Sequence, residues 1–379
     1  MSVVISGAGV WTPEHRISNE ELVEAYNRWA VQYNRKNQEA IESGACEEKP
    51  LSSAEFIEKA SGIKSRYAYI KDGILDIDTM FPRIPPRSEE QLSHQAEMAI
   101  SAAEIALQQA AKTSEDIDMV IVSCAYTERS YPAIAIEVQH ALGIQGSGFD
   151  MLVACSAATF ALQRAYDAIA AGSARCVLVI NPELTSPQVN YCDRDSHFIF
   201  GDVATAVIVE SDASARAEHI WDILDTRAIT RYSNNIRSNF GYLARSEAVD
   251  PFAEDRLFHQ NGRKVFKEVC PMAARHLADQ IRAAGLEVSD IRRWWLHQAN
   301  LNMNLLITKK LLGRNLTQDE APTVLDTYAN TASAGSIIAF AQNHQDLDPG
   351  DYGIICSFGA GYSIGSLLIQ KTEGKMGSG

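Results

Sequence analysis

Two short segments of this chain resemble each other, and the resemblance restricts the fold more than any other feature. SEDID at 114–118 leads towards VIVSCA at 120–125, and VSDIR at 288–292 leads towards WWLHQA at 294–299. In both copies an acidic turn introduces an apolar run of buried-strand length that ends at a polar site. Strand and helix signals alternate around each copy. Ile117 to Ala125 and Phe149 to Ala154 read as strands, the second ending at Cys155. Ala158, Leu162, Ala165 and Ile169 then follow at helical spacing, with Gly172 where a C-terminal cap belongs. Val177 to Pro182 reads as a strand, and Phe198 to Glu210 as another, kinked at Gly201 and Asp202. In the second half, Leu301 to Leu312 and Ser333 to Asn343 read as helices. Tyr352 to Ser357 and Ser363 to Gln370 read as closing strands joined by FGAGY. The expectation is an α/β chain of two similar halves stacked on each other, 1–214 and 215–371. Its 379 residues exceed the size of one ordinary core.

Two stretches read as insertions: Asn27 to Ser53, charged and helical, and Lys71 to Glu90, proline-rich and loop-like. The terminal GKMGSG reads as a tail. No apolar run reaches the ~18 residues of a membrane span. MSVVISGAGVW at the start reads as a first strand rather than a leader, so the default location is cytoplasmic. A net charge of -14 disfavours nonspecific binding to nucleic acid or membrane, both polyanions. It leaves room for a local basic patch that meets an acidic partner. The seven cysteines are scattered without a CxxC pair, which argues against a disulfide framework or a zinc site.

Three polar residues stand where chemistry is done. Cys155, in DMLVACSAATF, lies at a strand-to-helix junction, where first-turn amides and the positive helix end favour a thiolate. The small Ser156, Ala157 and Ala158 leave room for a bulky acyl group. A buried inert cysteine is the plainer reading. His297, in WWLHQANLN, ends an apolar strand, where α/β proteins present ligand-facing groups. Asn330, in YANTASAGS, has small neighbours that allow close backbone approach. Taken singly, a structural histidine and a turn asparagine explain these two equally simply.

Taken together, VACSAATF, FGDVATAVIVE, LHQANLNMN, YANTASAGS and SFGAGYSIG, in this order, resemble β-ketoacyl-acyl carrier protein synthase III of the thiolase superfamily. The likeness covers nearly the whole chain. It is most similar to the β-ketodecanoyl-acyl carrier protein synthases, primed by medium-chain acyl-CoA, which share the insertion before FIEKASGIKSRY. The resemblance implies a five-layered αβαβα fold, a homodimer, and a catalytic triad of Cys155, His297 and Asn330. Cys155 would carry the acyl group, and the backbone N–H groups of Cys155 and Ala360 would form the oxyanion hole. His297 and Asn330 would stabilise the enolate left when malonyl-acyl carrier protein loses carbon dioxide. No cofactor or metal is implied. Tyr131 matches an aromatic that reaches across the dimer to limit the partner's acyl pocket; packing on its own core is the alternative. Lys267, Lys309 and Lys310 match carrier-binding positions, with a solvated helix face as the alternative. The family's tryptophan and arginine at the CoA adenine correspond to Phe56 and Ala60, and an arginine expected after HQANL is Asn302.

Other readings share parts of this pattern. A thiolase needs a second cysteine where this chain has Ser357; Cys356 is one residue early and on a strand would face the other way. A head-to-head acyl condensing enzyme shares the triad. A non-catalytic acyl-binding subunit and a cysteine hydrolase complete the alternatives.

Overall fold

The computed structural model describes residues 2–239 and 256–375, with single residues 241, 246, 250 and 253 between them. In chain order the elements are β1 (Val3–Trp11), β2 (His15–Ser18), α1 (Asn19–Lys36), α2 (Gln38–Glu42), α3 (Ala54–Ser61), β3 (Ser65–Ala68) and α4 (His94–Gln109). Then come β4 (Met119–Cys124), α5 (Ile134–Leu142), β5 (Ser147–Leu152), α6 (Ala157–Ala170), β6 (Cys176–Glu183) and β7 (Val203–Ser211). The remainder is β8 (Ile220–Ser233), β9 (Ile236–Ser238), β10 (Phe258–Gln260), α7 (Gly262–Ala283), β11 (Ile291–Leu296), α8 (Leu301–Leu312), α9 (Leu325–Tyr328), α10 (Gly335–Gln342), β12 (Tyr352–Gly359) and β13 (Gly361–Thr372).

The main strands run in the order β11-β12-β13-β8-β1-β7-β6-β4-β5. The two flanks of this sheet meet where β1 pairs with β8, Val4 opposite Asp222 and Ile5 opposite Trp221. The shared pattern is structural. Before β4 the backbone N–H of Thr113 donates to the Asp116 carboxylate at 2.9 Å; before β11 that of Glu287 donates to Asp290 at 2.8 Å. Each acidic turn thus caps its own entry and launches a strand that pairs in parallel, β4 with β5 and β6, β11 with β12.

Helices complete five layers. α4 and α5 cover the outer face of one flank, α7 that of the other with α8 packed on it, and α6 and α10 lie between the flanks. The apolar stripe of α6 is fully buried at Ala158, Leu162, Ala165 and Ile169. Each large side chain there contributes roughly 1.5–3 kcal/mol. Alanines let the strands approach, and Gly365 on β13 is required: a Cβ there would lie 2.3 Å from Thr159 Oγ1. This is the five-layered α/β arrangement expected.

Several boundaries differ from the sequence reading; the strand expected over Phe149 to Ala154 runs from Ser147 to Leu152, and two further shifts bear on the site. The strand expected from Phe198 starts at Val203. The Asp202 carboxylate accepts N–H groups from Tyr69, Thr185 and Ser186 and draws the preceding residues out of the ladder, where Phe200 bridges to Asn330 instead. The helix expected from Ser333 begins at Gly335 after a tight turn over Ala332–Ala334. Within 27–53, α1 and α2 are helical, and the return strand of chain is tied back by reciprocal bonds between Asn34 and Lys49 and between Asn27 and Ser52. Residues 71–90 carry neither helix nor strand. Of the GKMGSG tail, 376–379 lie outside the described residues.

Candidate active site

Strand β5 ends at Leu152, and a short turn over Ala154–Ser156 carries Cys155 two residues ahead of α6, which starts at Ala157. Ala154 has φ 45°, a left-handed conformation that costs a non-glycine residue on the order of 1–2 kcal/mol. Positive φ recurs at Ala329 (φ 57°, ψ -159°) and Ala332 (φ 47°), on either side of Asn330. Backbone strain therefore gathers on the two turns that hold Cys155 and Asn330, and these turns pack against each other.

The strand-loop-strand of β12 and β13 closes over the thiol. Gly359 approaches so closely that a Cβ on it would stand 2.5 Å from Cys155 Cβ and 3.1 Å from Sγ. The nearby backbone N–H groups of Ala360 and of Cys155 itself act to lower the pKa of the thiol. The loop is held by Ser363, whose hydroxyl donates to the Ala360 carbonyl at 2.9 Å and meets Ser156 Oγ at 3.0 Å. Ser156 donates to the Ser363 carbonyl, and Ala157 and Ala158 are buried. These small residues therefore pack α6 beneath the loop.

Burial outweighs the helix end. The Cys155 thiol is pushed up to about 12, first by burial and then by the charge of Glu183, against the two N–H groups. The free thiol is therefore the resting form, contrary to the lowered pKa expected from the helix terminus.

His297 follows β11 directly. Its backbone N–H donates to the Cys356 carbonyl at 2.8 Å, and its carbonyl accepts Asn304 Nδ2 at 2.9 Å. The ring stands edge-on to Phe358, 5.2 Å between centroids. It is 1% exposed, and burial pulls its pKa down to about 3, so it is neutral at pH 7. Its Nδ1 has no partner among the described residues. The backbone N–H of Asn330 donates to the Ile199 carbonyl at 2.9 Å, and its side-chain oxygen accepts Ala332 N–H at 3.0 Å, leaving the amide nitrogen of the side chain for another acceptor. Cys356 is buried in the outer core with α7 residues, while Ser357 hydrogen-bonds Ser336 of α10 in the central layer.

The remaining expected residues lie farther out. Tyr131 is 82% exposed, so it does not pack on its own core. Lys267 on α7 and Lys309 and Lys310 in the last turn of α8 are all exposed, on two helices that pack together. Exposed Arg263 and Lys264 add charge to the first turn of α7. Phe56 on α3 has a cation the sequence reading missed: the Arg194 guanidinium lies 3.7 Å from its ring centroid. Arg194 is aimed there by its Nε, which donates to the Leu51 carbonyl at 2.8 Å at the end of the first insertion. Ala60 offers its carbonyl to Asn300 Nδ2 at 2.8 Å, and Asn302 lies in the first turn of α8, its N–H bonded to Asn300 Oδ1. Glu183, the buried end of β6, is the other residue that was missed. In the sequence it reads only as the close of a strand.

The five-layered fold, with Cys155 on a strand-to-helix turn that packs against β12 and the turn after Asn330, is that of a thiolase-like condensing enzyme. The family descriptions that match agree: 3-oxoacyl-[acyl-carrier-protein] synthase III over residues 149–230, and its C-terminal region over 281–371. A β-ketodecanoyl-[acyl-carrier-protein] synthase of Pseudomonas aeruginosa is 54% identical over 349 residues, covering 92% of this chain and 100% of that protein. A β-ketoacyl-[acyl-carrier-protein] synthase III of Clostridium perfringens is 26% identical, covering 97% and 98%. In fold, the chain matches the crystal structure of 3-oxoacyl-[acyl-carrier-protein] synthase III from Aquifex aeolicus with a TM-score of 0.75 at 24% identity, over 97% of this chain and 99% of that one. This chain belongs to the 3-oxoacyl-acyl carrier protein synthase III family.

Proposed function

We propose that the chain condenses a medium-chain acyl-CoA with malonyl-acyl carrier protein, releasing CoA and carbon dioxide and giving a β-ketoacyl-acyl carrier protein. The observation that carries this reading is the placement of Cys155 at the head of α6, directly beneath Gly359 and the β12–β13 loop that contains Ala360. The backbone N–H groups of Ala360 and Cys155 are the donors to the carbonyl oxygen of the thioester that Cys155 attacks. In the first step Cys155 displaces CoA and holds the acyl group. In the second, malonyl loses carbon dioxide, and neutral His297 and the Asn330 amide stabilise the enolate. The enolate attacks the acyl carbonyl and Cys155 leaves as thiolate. The 1–214 half supplies the nucleophile and the 215–371 half supplies His297 and Asn330.

The medium-chain assignment rests on the 54% identity, across its entire length, to a protein named for a β-ketodecanoyl product. Homodimerisation is supported by β5, an edge strand whose Phe149 and Leu152 are 40% and 56% exposed, near exposed Ile136 and Tyr131. Tyr131 then points towards a partner's acyl pocket. Lys267, Lys309 and Lys310 form the surface for the acidic carrier, and Phe56 with Arg194 faces the CoA donor. A cytoplasmic location is part of this proposal; among the described residues, no helix is long and apolar enough to cross a membrane. The test is competition among acetyl-, butyryl-, octanoyl- and lauroyl-CoA, read as kcat/KM. Each buried CH₂ contributes about 0.8 kcal/mol, so a fitted octanoyl chain outcompetes acetyl by several kcal/mol. Preference for acetyl overturns the chain-length assignment. Preference for lauroyl, with a second long acyl thioester accepted in place of malonyl, favours head-to-head condensation.

A further inference from the structure

Glu183 is a carboxyl buried to 1% exposure whose hydrogen bonds all tie the site together. One oxygen accepts the backbone N–H of Ser333 at 3.1 Å and also the Ser333 hydroxyl; the other accepts Ala125 N–H at 3.1 Å. Ser333 belongs to the turn that begins just after Asn330 and packs on both β6 and the Cys155 turn. Ala125 follows β4. One side chain thus ties the ends of β4 and β6 to the turn next to Asn330, beside the nucleophile.

The hydrogen-bond partners of Glu183 among the described residues are neutral, so no cation compensates a charge there. The titratable groups that feel it are Cys155, Cys124 and Tyr126, and it in turn feels Asp202 at the start of β7. All are acids, and each is harder to ionise when Glu183 is charged. We propose that Glu183 is a positioning residue for the condensation: its carboxyl clamps the Ser333 turn beside Cys155, and its charge state sets how readily Cys155 becomes a thiolate. Burial pushes the carboxyl up to about 7, against the Ser333 and Ala125 donors, so the charge changes close to neutrality. Protonated Glu183 favours attack by Cys155; ionised Glu183 opposes it. This rests on Cys155 being the nucleophile.

The experiment follows alkylation of Cys155 by iodoacetamide from pH 5.5 to 9.5, resolved by peptide mass so that the other cysteines do not contribute. In the wild-type protein the logarithm of the rate rises with pH, bends near pH 7 as Glu183 ionises, and then rises again from a lower line. Glu183→Gln, an uncharged analogue of the protonated carboxyl, removes the bend. The two proteins coincide below it, and the variant reacts faster above it by on the order of tenfold, one unit of coupling. A purely structural role shifts the profile equally at every pH or not at all, and either result overturns the proposal. Ser333→Ala is the second variant, needed if the glutamine protein does not fold. It removes a donor to the carboxylate and moves the bend to higher pH; an unmoved bend overturns the proposal. Acylation of wild-type Cys155 by octanoyl-CoA is measured in parallel. Its failure refutes the proposed function, whereas a missing bend with normal acylation refutes only the role of Glu183.

Discussion

Replacing Gly359 by alanine tests the geometry around the nucleophile with one methyl group. Gly359 has an ordinary φ, so alanine is resisted by space alone. The new Cβ would lie 2.5 Å from Cys155 Cβ, whereas carbon atoms rest near 3.5–4.0 Å, so about 1 Å must open. Neither side yields cheaply. Cys155 Cβ is fixed to a turn already strained at Ala154, and Gly359 ends a strand paired with β13 through Ser363. Movement of either separates Sγ from the Ala360 N–H. A misplacement of that size costs about a hundredfold in rate, and the overpacking costs about 1–3 kcal/mol of stability. The assay is single-turnover release of CoA from octanoyl-CoA without malonyl-carrier, beside a melting curve. We expect acylation slowed about a hundredfold and a Tm lower by a few degrees. A folded Gly359→Ala protein that acylates at the wild-type rate refutes the close approach and the alignment drawn from it.

His297→Ala and Asn330→Ala should each slow malonyl decarboxylation by about a hundredfold, roughly 3 kcal/mol, while leaving acylation by acyl-CoA nearly intact; normal decarboxylation in both variants removes them from the enolate site. Reversing Lys309 and Lys310 to glutamate should raise KM for malonyl-carrier without affecting acylation, and the wild-type KM should rise with salt because exposed charges are screened beyond ~10 Å at 0.1 M. A salt-independent KM unaffected by the reversals places carrier docking elsewhere.

The sequence was most legible where local chemistry and fold agree. The two acidic turns were readable because each caps itself with its own aspartate, independent of tertiary contacts. α6 was readable from its apolar spacing and from Gly172 just beyond its end. Legibility failed where distant groups compete. Val203 begins β7, rather than Phe198, because the Asp202 carboxylate gathers amides from two other segments. The Cys155 pKa was misjudged because a helix end is local, while burial and Glu183 are supplied by the assembled fold. Arg194 reads as part of a charged turn, and only the Leu51 carbonyl, contributed from the far side of an insertion, aims it at Phe56. The positive φ of Ala154 and Ala329 carries no sequence signal, since alanine gives no hint of it.

The most direct test of covalent catalysis is the mass of the Cys155 peptide after incubation with octanoyl-CoA, followed by a chase with malonyl-acyl carrier protein. The account predicts that Cys155 gains one octanoyl group in place of its hydrogen and loses it in the chase as β-ketodecanoyl-carrier appears. Cys155→Ala should neither gain the mass nor form the product. Product formation by Cys155→Ala, or a stable acyl group on another cysteine that the chase discharges, would contradict it.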